Sequence, residues 1–531
     1  MRLSEPGLAE IRSSRCLSNV FFVRLLLFVG ALALSLNLQA QNISVKNPVK
    51  RRIDLKHADE DNIERDKKTG KDWHRLLGSV FMQHNEITMR CDSAHFFPDK
   101  NQVTAFSKIH IEQGDTLDIL GDYLFYDGTS ENALLTGNVE LIDKETHLYT
   151  NYVTYDVKNE IAQYTKNGRI INGENTLTSK TGTYYISNNL FHFKDSVKIV
   201  NPDYVMTADT MDYNTRSETA IFTGPSELNG DSIYLFCERG WYDTKNNVTR
   251  IWQNAVIDNR QQIIHGDSLF YNENTGYGQS FGNVSIADTN NHIVVAGQYG
   301  WYYKEPERFM VTDSAFFIQI SDKNDSLFLH ADTISAITVS DTTTKGYRLM
   351  RAYFGCRIFS KDLQAKCDSL SYSFQDSVIR LYYYPVLWSE ENQLTSDSIA
   401  IFTKNRQADR MELYNSAFVV SQVDSMRFNQ IKGRSLTGYF TDNELYKIDI
   451  NGNGESIYYL IDGEEIVGVN TAKCARIEIF IKDGKIQEIY EYQSPDGIID
   501  PPSESSQTNK LLEGFNWLDN LRPKKRVDIF K

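Results

Sequence analysis

Gly121 to Tyr155 reads GDYLFYDGTSENALLTGNVELIDKETHLYTNYVTY. Apolar and polar residues alternate along it. Leu124 and Tyr126 share one face of an extended segment, as do Val139 and Leu141, with Glu140 on the other, because successive side chains of a strand point to opposite faces. Asp127-Gly128 is a turn dipeptide between the two segments, and Asn188-Asn189 and Asn246-Asn247 do the same work further on. The stretch also contains its own opening twice: Gly121-Asp122-Tyr-Leu-Phe-Tyr126 returns as Thr150-Asn151-Tyr-Val-Thr-Tyr155.

Outward from there the same hexad recurs as Cys91-Asp92-Ser-Ala-His-Phe96, Ala208-Asp209-Thr-Met-Asp-Tyr213, Gly266-Asp267-Ser-Leu-Phe-Tyr271 and Cys367-Asp368-Ser-Leu-Ser-Tyr372. Its second position falls at 92, 122, 151, 181, 209, 238, 267 and 298, a period of about 29 residues. Further copies start near Asp332, Asp368 and Asp397, and degenerate ones near Arg434 and Ala475. A second signature follows each aromatic: Gly137-Asn138-Val139, Asp195-Ser196-Val197, Gly282-Asn283-Val284, Asp313-Ser314-Ala315 and Asn415-Ser416-Ala417. Chance does not hold such spacing over eight consecutive copies, so the repeat is real. Each unit supplies two short strands and two tight turns. One strand pair cannot bury its apolar face alone, but a stack of units can. The predicted fold is all-β: an elongated, open β-jellyroll of two facing antiparallel sheets, built from about a dozen two-strand repeats. With one strand per unit in each sheet and strands about 4.8 Å apart, the body would be about 60 Å long.

Composition agrees. The 531 residues include 30 Tyr and 28 Phe, with 24% charged and 41% hydrophobic residues, and aromatic residues suit a pleated, half-buried surface. Arg24 precedes an apolar run from Leu25 to Leu38 that ends in Leu38-Gln39-Ala40, too short for a comfortable membrane span and shaped like a secretory signal, with an uncleaved anchor as the alternative. The expected organisation is a signal peptide over 1–40 and a polar linker over 41–72 (Lys50-Arg51-Arg52, Asp59-Glu60-Asp61). The repeats follow over 73–490, clearest over 78–320 and degenerate to about 480. A tail over 491–531 closes the chain with Leu511-Leu512, Trp517 and a basic cluster, Arg522 to Arg526; its pattern fits either a docked short helix or a loose end. Loss of residues 1–40 removes four Arg and two Glu, taking the formal net charge from −14 to −16. That balance opposes nucleic acid as a partner. Five cysteines remain, Cys91, Cys237, Cys356, Cys367 and Cys474, an odd number without paired spacing, at most one pair of them bridged.

The pairing of a "GNV" strand with a "GD-x-L-x-Y" strand, clearest from Gly121 to Tyr155, resembles the OstA-like, or LptA-type, lipopolysaccharide-transport family. The resemblance implies an open jellyroll whose hydrophobic groove shields the acyl chains of lipid A during transport through the periplasm to the outer membrane, with no enzymatic activity. It further implies lipopolysaccharide or a related glycolipid as ligand, other transport components docked at edge strands, and end-to-end self-association. The groove lining it implies is Leu124, Tyr126, Val139, Leu141, Val153, Tyr155, Met211, Tyr213, Leu269, Tyr271, Val284 and Ile286. The departures are a longer repeat array than a minimal member and too few residues after it for an outer-membrane barrel.

Each column of the repeat also has a plainer reading. The aromatic column, Phe96 to Tyr372, suits a core ladder with hydroxyls at the sheet margin. The acidic column, Asp92, Asp122, Asp209, Asp267, Asp332, Asp368 and Asp397, lacks the converging oxygens of a calcium loop and suits turn capping, so no metal or cofactor is expected. No HExxH, GxSxG or phosphate-cradling loop occurs, and no catalytic residue is nominated. Two other architectures fit alternating repeats: a β-solenoid that binds or cleaves polysaccharide, and an outer-membrane β-barrel.

Overall fold

The computed structural model describes residues 52–531 except 261, 291, 321–325, 341–345, 405–406, 442–443, 464, 483–484 and 502–509. The expected signal peptide and the first part of the expected linker lie outside the described residues. Ile53–Lys531 forms one compact unit. Every strand pairing described within it is antiparallel, and each strand, or the two segments into which a corner divides it, pairs with the layer before and the layer after it, building a single large sheet. Among the described residues no helix is long and apolar enough to cross a membrane.

The two expected sheets are present as two walls of one folded sheet. Leu117–Asp127, Asn132–Asp143 and Thr146–Asp156 are strands of 11 or 12 residues, longer than the pattern suggested, because each runs through both walls. Tyr123 to Asp127 pairs with 132–136 in the first wall; then the register shifts, and Leu117 to Leu120 pairs with 140–143 in the second. At the shift lie Gly137 and Asn138, both left-handed (φ 78° and 45°). Two consecutive left-handed residues make a bulge that turns the strand sharply. The second signature therefore marks a corner in mid-strand. Ser107-Lys108, Asp195-Ser196, Gln253-Asn254, Gly282-Asn283, Asp313-Ser314, Asn415-Ser416 and Gly452-Asn453 repeat it. Glycine or a small polar residue is favoured there because other side chains crowd the preceding carbonyl. The acidic column caps these corners across strands: Asn138 donates to Asp122 (2.7 Å), Ser107 to Asp92 (2.8 Å) and Asn283 to Asp267 (3.1 Å).

The alternate apolar residues of both walls face inward and interlock as a core that runs with the stack. Fully burying one such Leu, Ile or Val contributes about 1.5–3 kcal/mol. At the tips of the first wall successive turns are stitched together, Gly128 N–H to Asn101 O, Val157 to Glu131 and Ile186 to Glu160.

One sequence expectation needs correction. The expected polar linker over 41–72 is folded from Ile53 on: Asp54–His57 and Glu60–Arg65 are strands paired with Asp72–His84, and Ile53 is buried. Charged residues are tolerated there because the outer faces of this end strand meet solvent. The tail is also docked. Its residues 510–531 strap the outer face of the second wall, with Leu512 and Ile529 buried and short 3-10 turns at Asp519–Leu521 and Arg526–Phe530. All five described cysteines are free and buried. The two alternative architectures do not survive. Hairpin-to-hairpin pairing is not a winding coil, and the end strands Glu60–Arg65 and Asp496–Asp500 pair only with Asp72–His84 and Glu465–Lys482, so among the described residues the sheet does not close on itself as a membrane barrel must.

Candidate lipid-binding mouth

Opposite the corners the two walls meet along a second edge, the mouth of the jellyroll. In the first half of the stack, tyrosines from the tip of the first wall reach hydrogen-bonding groups at the tip of the second. Tyr126 pairs with His84 (2.6 Å), Tyr155 with Gln113 (2.6 Å), Tyr184 with Asp143 (2.5 Å) and, more loosely, Tyr213 with Asn175 (3.4 Å). The partners lie 38–42 residues apart in the chain, far beyond any local signal. Burial pushes all four phenols well above the ordinary value of 10.0, and the Asp143 carboxylate beside Tyr184 adds to the shift. These latches tie the two walls together across the mouth, over a fully buried apolar core.

They stop after Tyr213. Tyr242 packs edge-on against Tyr204 (6.1 Å between ring centres), and no hydrogen bond to the second wall latches Tyr271 or Tyr302 among the described residues. The inward residues nearest the mouth change with them. Ile264, Tyr271, Ile286, Ile293, Tyr302 and Phe309 are half-buried, whereas their counterparts Ile119, Tyr126, Leu141 and Tyr155 are fully buried. Gly278, Ser280 and Gly300 stand where the first half has Ala133, Leu135 and Val153, so the interior carries less side-chain bulk. The core also divides here: one cluster ends at Leu269 and the next begins at Val295.

Of the twelve nominated lining residues, Leu124, Tyr126, Val139, Leu141, Val153, Tyr155, Met211 and Tyr213 lie in the latched half, fully buried. Leu269 and Val284 are buried beneath the unlatched mouth, and Tyr271 and Ile286 stand at its rim. Sequence reasoning missed Ile264, Ile293 and Phe309; Tyr302 belongs to the aromatic column it singled out. Their alternation showed that they face inward, but the loss of a latch partner leaves no mark in the local pattern.

Near the mouth side of the second wall the tail adds a basic feature. A cleft of about 810 Å³ is lined by Lys361, Arg522, Lys524 and Arg526, with Glu391 and Asp519 opposing them. Lys524 is already paired with Asp519 (2.6 Å), and Arg526 lies over the Phe328 ring (4.6 Å). This is the cationic cluster of the tail, now fixed beside the sheet. Among the described residues one mixed His and carboxylate group stands close enough to share an ion, His110, Glu112 and Asp118. His110 is hydrogen-bonded to Asp118 (2.7 Å) and Glu112 to Thr88 (2.7 Å), so their polar atoms are satisfied without one.

Sixteen chains of known structure match this one. One, entitled the crystal structure of LptH, the LptA homologous periplasmic component of the conserved lipopolysaccharide transport device from Pseudomonas aeruginosa, is 13% identical over 25% of this chain and 79% of its own, with a TM-score of 0.14. That likeness is too slight to carry an argument. No curated protein matches. A family model described as OstA-like protein matches residues 50–209 and 212–327; that is more than half of the chain, and the chain belongs to the OstA-like family.

Proposed function

We propose that this chain is a non-enzymatic carrier of lipopolysaccharide, or a related glycolipid, on its way through the periplasm to the outer membrane. The acyl chains would enter the jellyroll at the unlatched mouth. One observation carries the reading: inward-facing apolar side chains, Ile264, Tyr271, Ile286, Ile293, Tyr302 and Phe309, are left half-exposed in the stretch that follows the last tyrosine latch. Apolar surface open along a groove marks a site for an apolar ligand. Membership of the OstA-like family supports the same reading. The net charge of −14 opposes a phosphorylated ligand in general, but screening at about 8 Å in physiological salt confines that opposition, and the cleft lined by Arg522 and Arg526 supplies a local counter-charge for head groups.

The end strands would serve as docking edges for other transport components or for a second copy. Asp496–Asp500 presents Ile498 and Ile499 to solvent with one side unpaired, and an unpaired edge accepts a further strand.

A photocrosslinking amino acid at Tyr271, Ile286 or Ile293 tests the lipid reading in cells. Capture of lipopolysaccharide at these positions, with none at the latched Leu124 and Leu135, is the expected result. No lipid at any position, from protein that accumulates normally, would overturn the carrier reading; equal capture at Leu124 would move the site to the latched half.

A further inference from the structure

At most corners the left-handed pair is Gly-Asn, Asp-Ser, Asn-Ser or Gln-Asn. Two corners carry aromatic residues instead. Phe354 stands at φ 63° before Gly355, and Tyr383 and Tyr384 are both left-handed, at φ 63° and 53°. Bulky aromatic residues are strongly disfavoured in this conformation, and strain of this kind persists where it is useful. Packing does not explain it. Phe354 is 63% exposed, Tyr383 68% and Tyr384 80%.

These residues lie together. The Phe354 carbonyl accepts from Asp332 N–H, and Tyr384 N–H donates to the Asp397 carbonyl. Cys356 pairs with Cys367 and Ser369 with Tyr382, so the two aromatic corners are two strands apart on the same edge, about 10 Å from each other. Tyr382 flanks one corner, and Tyr414, beside the next corner along, is also exposed. The corner edge is the outside of the bend in every strand, so the rings form a convex ridge. On its two flanks lie cations on the outer faces: Arg351 and Arg380 on the first wall, Arg357 and Lys366 on the second. Arg380 is paired with Asp376 (2.7 Å); Arg351, Arg357 and Lys366 have no acidic partner among the described residues. Of the other cations in 346–385, Arg348 is paired with Glu307 and Lys361 lines the tail cleft, so the unpaired positive charge beside the ridge is that of Arg351, Arg357 and Lys366. Asp368, at the corner between the two aromatic ones, and Asp332 and Asp397 on either side of them are also exposed on this edge, so acidic groups alternate with the rings and oppose the cations on the flanks.

We infer that this aromatic ridge is a docking surface for the polar–apolar interface of an anionic phospholipid bilayer. Tyrosine suits that boundary, with an apolar ring and a polar tip, and flanking Arg and Lys meet anionic head groups while their stems cover apolar surface. A convex crest fits a flat, yielding surface and offers no concavity to wrap a sugar chain. The inference is independent of what the mouth carries, since it concerns the opposite edge of the stack.

The test uses the chain without residues 1–40, which leaves the compact unit Ile53–Lys531 whole and removes the apolar run Leu25 to Leu38. It is mixed with vesicles of phosphatidylethanolamine containing phosphatidylglycerol and with vesicles of phosphatidylcholine alone, and sedimented. The variant is Tyr383→Gln with Tyr384→Asn, which copies the corner Gln253-Asn254 and so keeps the bend. Expected are binding to the anionic vesicles that weakens with salt, weaker binding to phosphatidylcholine, and about ten-fold weaker partitioning of the variant with a melting temperature unchanged or raised. Failure of the parent to sediment with anionic vesicles overturns the inference. So does a variant that partitions equally well, or retention of the parent on soluble polysaccharide but not on vesicles.

Discussion

The latch tyrosines have two faces, an apolar ring that fills the core and a hydroxyl that ties the walls, and the second can be removed alone. Tyr184→Phe keeps the ring stacked on Phe191 (3.9 Å) but leaves the buried Asp143 carboxylate without its phenol. A buried acceptor left unsatisfied costs about 1–3 kcal/mol, so urea unfolding should show a loss in that range, whereas Tyr302→Phe, at the unlatched mouth, should be close to neutral. The same hydroxyls set an alkaline limit. Burial raises the Tyr126, Tyr155, Tyr184 and Tyr213 phenols in the folded chain above the ordinary 10.0. The folded state therefore holds these protons more tightly than the unfolded state. Their contribution is complete below pH 10 and is lost as pH rises past it, at about 1.4 kcal/mol per pH unit for each phenol still protonated. A melting temperature steady between pH 7 and 9 and falling steeply above about pH 10 is the outcome that checks this; one that stays flat to higher pH would show that the phenols ionise without strain.

At the scale of elements, the tail is held by a device that reads backbone. Gln430 donates to the Lys510 carbonyl and accepts from Leu512 N–H (both 2.9 Å); Gln393 does the same with Asn516 and Leu518 (both 2.7 Å); Gln364 accepts from the Arg522 guanidinium (2.9 Å). Each of the first two amides imitates a neighbouring strand. Between them Phe515 and Trp517 pack on Phe428 (5.1 and 5.3 Å) in a small core of their own on the outer face. The double substitution Gln393→Ala, Gln430→Ala removes four hydrogen bonds to the tail, about 2–6 kcal/mol of docking at about 0.5–1.5 kcal/mol each. Trypsin should then cut at Lys524 and Lys525 at least about ten-fold faster while the repeats stay intact. Unchanged cleavage would assign the docking to Phe515 and Trp517 alone. These glutamines also show where sequence reading stops. The repeat, the inward columns and the tight turns were legible because alternation and turn chemistry are local. A Gln on the polar face of a strand reads as solvent-facing until a distant segment covers it, and Gly137-Asn138 reads as a turn whether it closes a hairpin or bends a strand. The charged run from Asp54 to Arg65 lacks alternation, so its strands are fixed only by their partners in Asp72–His84.

Across the whole repeat unit, contacts run between neighbouring strands, and stability in such a stack is the sum of local units and the interfaces between them. The core clusters part between Leu269 and Val295, in the same stretch that lacks latches, and the weakest interface is predicted there. A mouth that must admit a ligand and a core that must hold two halves together make opposite demands on the same residues. Filling the interior at Gly278 and Ser280 would strengthen the join and narrow the mouth, whereas a Cβ at Gly300 would meet Ser280 Oγ at 2.8 Å. The arrangement predicts two blocks of unequal stability. Hydrogen exchange followed by mass spectrometry in rising urea should show residues 76–257 and 311–480 losing protection at different midpoints, with the boundary between 269 and 295. Ile334→Asp, which buries a charge in the second cluster, should then abolish protection over the second block and leave the first folded. Loss of both blocks at one midpoint, or collapse of the first block in that variant, would mean that the join is as strong as any other pair of strands. The half-exposed residues at the mouth would then be a surface feature of a uniformly cooperative stack, not the soft place in it.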